Sequence, residues 1–122
     1  MIKLTIMATR GIRGATTVES NSREEILAAT KELLREMVAA NALKIEDISS
    51  ILFTLTADLN AEFPAVAARE IGWQETPLIC AKEIEVPGSL PKCVRVLMHV
   101  NSNKEQKDIR HVYLKQAVNL RR

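Results

Sequence analysis

At 122 residues, 47% hydrophobic and 26% charged, the chain carries material for one folded domain and too little for a second core of ordinary size. The same apolar content excludes disorder. A net charge of +2 gives no broad basic field, which argues against nucleic acid as a partner and leaves anion binding to a few placed arginines.

The chain opens with Ile2, Leu4 and Ile6 alternating with Lys3 and Thr5, a strand pattern expected to continue to Ile12. Gly11 and Gly14 then bracket Arg13. Ser22 followed by Glu25 is a capping box, predicting that each side chain satisfies a free backbone N–H at a helix start. Ile26, Leu27, Thr30, Leu33, Leu34, Met37 and Val38 form one broad face of a helix over 23–40, with Asn41 as its left-handed stop. Residues 50–56 (SILFTLT) are apolar on both faces, as in a buried strand. A loop over 57–63 leads to Pro64, placed to open a short helix reaching about Ile71. Residues 77–85 read as a strand, and PGSLP at 87–91 is turn chemistry. In the strand over 94–100, Val94, Val96, Met98 and Val100 point one way, while Arg95, Leu97 and His99 point the other. A polar loop follows over 101–108, then a last strand over 109–114 and a tail. The order β-α-β-α-β-β-β indicates a single α+β domain spanning 1–122, with a small mixed sheet, one long helix and one short one.

No secretory leader is evident in MIKLTIMATR, and no stretch approaches the roughly 18 apolar residues that span a bilayer, so no membrane partner is expected. Cys80 and Cys93 are the only cysteines and form no CxxC pair. Both are read as reduced thiols of a cytoplasmic protein. His99 and His111 lie outside any metal-ligand spacing, so no metal is expected. Cys80 has no evident base partner and reads as structural or substrate-lining. The GIRG run lacks the ending of a P-loop. Its glycines either turn the chain out of a strand beside a solvated Arg13 or present Arg13 rigidly to a carboxylate. Arg95, inside an apolar strand, is either an edge arginine facing water or a guanidinium on a pocket floor. Arg69, Arg121 and Glu83 are surface residues by type, and candidates for a site only in company.

Together, RGIRGATTVE (10–19), DLNAEFPAVAARE (58–70), CVRV (93–96) and IRHVYL (109–114) resemble the monofunctional, trimeric chorismate mutases of α+β architecture, distinct from the all-helical class. The resemblance spans Arg10 to Arg121, leaving residues 1–6 as an N-terminal extension. It implies a homotrimer with a pseudo-barrel core, active sites at subunit interfaces, and the rearrangement of chorismate to prephenate for phenylalanine and tyrosine biosynthesis. That pericyclic step needs no cofactor, nucleophile or proton transfer.

Carried onto this chain, the resemblance makes Arg95 the donor to the breaking ether oxygen and Arg13 a holder of a substrate carboxylate. Glu83 is implied to accept from the ring hydroxyl. Tyr113 bonds a carboxylate, Cys80 lies near the ring hydroxyl, and Phe63 and Ala65 form an apolar wall. Arg69, Leu120 and Arg121 attract or cover the dianion. Val66 departs from relatives that often carry a charge there, so any contact it makes is apolar. Strict alternation puts Cys80 and Glu83 on opposite faces, so one substrate meets both only through a bulge or from two subunits. The competing expectations are a trimeric module that binds a carboxylate metabolite without turnover, and an imine or enamine hydrolase of similar architecture.

Overall fold

The computed structural model describes residues 7–120. The strand start expected at Ile2–Ile6, the N-terminal extension 1–6 and Arg121 lie outside the described residues. The described chain forms five strands and two α-helices: β1 (Ala8–Thr17), α1 (Arg23–Asn41), β2 (Ile48–Leu55), α2 (Ala65–Glu70), β3 (Leu78–Lys82), β4 (Cys93–Ser102) and β5 (Val112–Tyr113). Short 3-10 turns occupy Ile45–Asp47, Gln106–Asp108 and Lys115–Asn119. The strands form one mixed sheet in the order β3-β2-β4-β1-β5. β4 runs antiparallel to both neighbours, and the two edge strands pair in parallel.

The two α-helices cover one face of the sheet, and the other is left uncovered except around Ala15 and Cys93, which pack under Ala117 of the Lys115–Asn119 turn. Ile12, Ile51, Phe53, Val96, Met98 and Val100 are buried with Leu33, Leu34 and Met37 of α1 and Ala68 of α2. Gly14 is what lets α1 lie this close. A Cβ there would stand 2.5 Å from the Met37 sulfur and 3.1 Å from a Leu33 methyl. The GIRG run therefore lies inside β1 rather than turning out of it, and Gly14 faces the helix while Arg13 faces the opposite side. The uncovered face carries Arg13, Leu52, Thr54, Arg95, Leu97 and His99, all half-buried or exposed. β2 is thus buried on one face only, because Leu52 and Thr54 sit on the side without helices.

The helix caps differ in detail from the sequence pattern. Ser22 Oγ accepts from Glu25 N at 3.2 Å, but Glu25 does not return the bond to Ser22. Its carboxylate accepts from the Glu19 and Ser20 backbone N–H groups and from the Ser20 hydroxyl, tying down the approach to α1. At the other end Ala42, not Asn41, takes the left-handed conformation (φ 50°, ψ 47°). Asn41 is buried as the last helical residue. Its amide donates to Met37 O (3.0 Å) and Arg110 O (2.8 Å) and accepts from Arg110 N (2.8 Å). Pairing with both backbone polar groups of one distant residue uses the amide more fully than a cap would. The last strand shrinks to Val112–Tyr113 because Ile109 packs into the core from a non-strand segment. β3 likewise ends at Lys82, short of the expected Glu85.

Candidate active site

Cross-strand register builds the site on the uncovered face. Arg95 stands opposite Thr54 on one side and Ala15 on the other, and Ala15 in turn pairs with Tyr113. The next row sets Arg13 opposite Leu97, and Leu97 opposite Leu52. Ala15 is itself fully buried under Ala117, Tyr113 and Leu120, which seats the Tyr113 and Leu120 side chains next to the Arg95 row. The result is a cleft of about 340 Å³ lined by Arg13, Leu52, Thr54, Arg95, Tyr113 and Leu120, among others. Leu120 reaches it from the turn that follows β5.

Glu83 completes this group from just beyond β3. Its N–H donates to Leu55 O at 2.8 Å, which carries the β2–β3 pairing one residue further. Its carboxylate accepts from Thr54 Oγ1 at 2.7 Å, and Arg95 Nη1 lies 3.8 Å from the same oxygen. That separation is an ion pair without a hydrogen bond, so the guanidinium N–H groups are not spent on Glu83. Thr54 had no place among the sequence candidates. The signal was there, as the polar residue inside the apolar run ILFTL, two residues from Leu52 on the same face. Arg13 is fixed through its backbone, whose N–H donates to His111 Nδ1 at 2.9 Å, a second contribution that sequence reasoning left unassigned.

Phe63, Cys80 and Arg69 gather elsewhere. Phe63 is 67% exposed and lines a second cleft, of about 330 Å³, with Leu55, Leu59 and Cys80. Cys80 lies on the helix side of β3 and packs against the core, so alternation does place Cys80 and Glu83 on opposite faces. Burial pushes the Cys80 thiol above its ordinary value, against an opposing pull from the backbone of Ala65 and the charge of Arg69. A thiol held protonated is a poor nucleophile. Arg69 is exposed near the end of α2, Ala65 is buried in the core, and Val66 is half-buried. Within one chain, then, the sheet separates Arg13, Arg95, Glu83, Tyr113 and Leu120 from Phe63, Ala65, Arg69 and Cys80. Among the described residues no three His, Cys, Asp or Glu side chains converge as a metal site, and no helix is long and apolar enough to cross a membrane.

The loop carrying Phe63 is coupled to the strand carrying Arg95. Asp58 accepts from Lys92 N with both oxygens (2.9 and 3.2 Å) and from Thr56 Oγ1 at 2.5 Å. Thr56 Oγ1 in turn accepts from Cys93 N at 3.0 Å. Lys92 adopts φ 50°, and its ammonium donates to Glu19 O at 2.9 Å. These bonds hold an unfavourable backbone conformation three residues before Arg95.

A family model described as chorismate mutase type I matches residues 9–122. The chain is similar to the chorismate mutase AroH of Bacillus subtilis (strain 168), 51% identical over 116 residues that cover 94% of this chain and 91% of that one. It is also similar to the chorismate mutase AroH of Thermus thermophilus, 50% identical over 113 residues, covering 92% and 93%. The solved chorismate mutase from Clostridium thermocellum superposes with a TM-score of 0.87 at 59% identity, over 88% of this chain and 96% of that one. With its five-stranded mixed sheet, its two helices and its arginine-lined cleft, the chain belongs to the chorismate mutase type I family.

Proposed function

We propose that this chorismate mutase rearranges chorismate to prephenate at sites shared between neighbouring subunits of a homotrimer, without cofactor, covalent intermediate or acid–base step. The observation that carries the reading is the pairing of opposite charges at the margin of the cleft, with Arg95 and Glu83 3.8 Å apart and Arg13 and Tyr113 lining the cleft beside Arg95. As the ether C–O bond lengthens, negative charge grows on its oxygen and positive charge on the ring. Arg95 donates to that oxygen, and Glu83 accepts from the ring hydroxyl and faces the positive ring. Charges already in place need no reorganisation during the reaction, and one such donor is typically worth about 3–4 kcal/mol in a dry site. Arg13 and Tyr113 hold the carboxylates, which restricts the substrate to its compact reactive conformer. Leu120 and Arg121 cover the dianion.

Two subunits are required because Phe63, Ala65, Arg69 and Cys80 lie on the far side of the sheet from Arg95 within one chain. In the shared site Phe63 supplies an apolar wall toward the Arg95 of its neighbour, with Ala65 behind it. Arg69 adds positive potential, and the protonated Cys80 lies near the ring hydroxyl. The whole chain acts as one domain. Both cysteines are free thiols, which fits a cytoplasmic enzyme.

Complementation tests the shared site, with chorismate loss followed by ultraviolet absorbance. Arg95→Ala and Phe63→Asp are each expected to be nearly inactive alone. Refolded together in equal amounts, random assembly makes about three-quarters of the trimers mixed, each with one fully native site, and so restores roughly one-quarter of native activity. No recovery in verified mixed trimers overturns the shared site, and a monomer by sedimentation overturns the assembly.

A further inference from the structure

Phe63 is a poorly supported wall if judged by its own ring, which is 67% exposed and so is not held by packing within its chain. Its position must come from the backbone of the loop between β2 and α2. The first half of that loop is anchored by Asp58 and by buried Leu59. The Asn60–Ala61 backbone of the second half is held by a side chain distant in sequence. Asn21 Oδ1 accepts from Asn60 N and from Ala61 N, both at 3.0 Å. Asn21 Nδ2 donates to Asn60 Oδ1 at 2.7 Å. Beside it, Arg23 Nε donates to Glu62 Oε2 at 2.9 Å, and Glu62 Oε1 accepts from Phe63 N at 2.8 Å.

The support is rigid because Asn21 precedes the Ser22 cap of the 19-residue helix α1. Each bond is solvent-exposed, so water replaces it at small cost and its contribution to global stability is slight. What three bonds from one amide give is precision, and misplacement of a positioning group by about 1 Å can cost orders of magnitude in rate.

We infer that Asn21 is a positioning residue of the substrate wall: its amide fixes Asn60 and Ala61 and thereby sets where Phe63 meets the substrate. The inference rests on the reading that Phe63 lines a neighbouring subunit's site. A wall that contacts substrate and transition state alike acts on KM more than on kcat.

The test is steady-state chorismate turnover by the full chain and by Asn21→Ala, Asn21→Asp, Phe63→Ala and the double variant Asn21→Ala/Phe63→Ala, with thermal melting of each. Asn21→Ala is expected to raise KM about tenfold, with kcat within about threefold and a near-native melting temperature. Asn21→Asp should return KM to near native, because a carboxylate still accepts from both N–H groups and the Asn60 amide can turn to donate. In the Phe63→Ala background, removing the Asn21 amide should change KM by less than about twofold, since its effect passes through the ring. A native KM in Asn21→Ala overturns the inference. So does an Asn21→Asp as impaired as Asn21→Ala, an equal effect in both backgrounds, or an Asn21→Ala that fails to fold. Native kinetics in Phe63→Ala would overturn the shared-site reading as well, which separates that failure from the others.

Discussion

The two faces of β4 differ by one residue of register and by everything else. Val94, Val96, Met98 and Val100 are all 3% exposed or less, buried in the apolar clusters that they share with α1. Arg95, Leu97 and His99, one step along the chain, stand on the face that neither α1 nor α2 covers. From Val94 to Val100 the first face has no polar side chain to offer a ligand. The second retains solvated, hydrogen-bonding groups at positions that the first holds still. The difference shows how a domain of this size separates its duties: the pleat assigns stability to one side and recognition to the other, and a rigid strand gives the recognizing side its geometry.

That contrast is open to attack from both sides. On the uncovered face, Arg95→Ala should lower kcat by about a thousandfold or more while moving stability by no more than about 0.5 kcal/mol. Stopped assays and thermal melting on the same preparation check both halves. A large drop in melting temperature would mean the arginine also holds the fold. On the covered face, Phe53→Ala should do the reverse. Phe53 is fully buried, so truncation should cost about 3–5 kcal/mol of stability, read by urea denaturation, with kcat per folded molecule close to native.

A smaller effect sharpens the boundary between the faces. Thr54 donates to the Glu83 carboxylate, so Thr54→Val keeps the shape of β2 and removes only the hydroxyl. Loss of one hydrogen bond to a charged acceptor should reduce kcat/KM about tenfold. An unchanged value would show that Glu83 needs no such support.

The smallest expected effect concerns Cys93, whose thiol is buried and pushed up to about 11, chiefly by desolvation. An acid whose pKa is higher folded than unfolded leaves the folded state with more bound protons above the ordinary thiol value of 9. Its contribution to stability is therefore fully present below pH 9 and is lost as pH rises toward 11. Denaturation midpoints measured between pH 8 and 11 should fall in the native chain and fall less in Cys93→Ala. Parallel curves would show that the thiol does not titrate with unfolding.

Much of this division was legible before any coordinates. Strand alternation alone puts Arg95 opposite in direction to Val94 and Val96, and sets Cys80 and Glu83 on opposite faces of β3. Local pattern also marks α1, since Ser22 and its apolar face act within a few turns. What stayed hidden depended on partners distant in sequence. Nothing near Asn41 reveals that its amide is used by Arg110, or that Asn21 reaches Asn60 and Ala61. Gly11 and Gly14 look equivalent in RGIRG, yet an added Cβ meets only a Leu97 methyl at 3.7 Å at the first and crowds Met37 at the second. The SILFTLT segment was misleading because Leu52 is apolar on the face that carries the chemistry. An apolar residue does not state which surface it will meet.

The brevity of β5 bears on time rather than geometry. Tyr113 belongs to a strand only two residues long, paired on one side to Gly14 and Ala15, with a further bond from Leu114 N to Ala15 O at 2.9 Å. Arg95 sits inside a ten-residue strand paired on both sides. Local opening is cheapest where the fewest backbone bonds must break. The amide of Leu114 should therefore exchange with deuterium far sooner than that of Val96, which can exchange only when the sheet as a whole lets go. The two sides of the cleft are thus expected to open on different clocks, the Tyr113 side well before the Arg95 side.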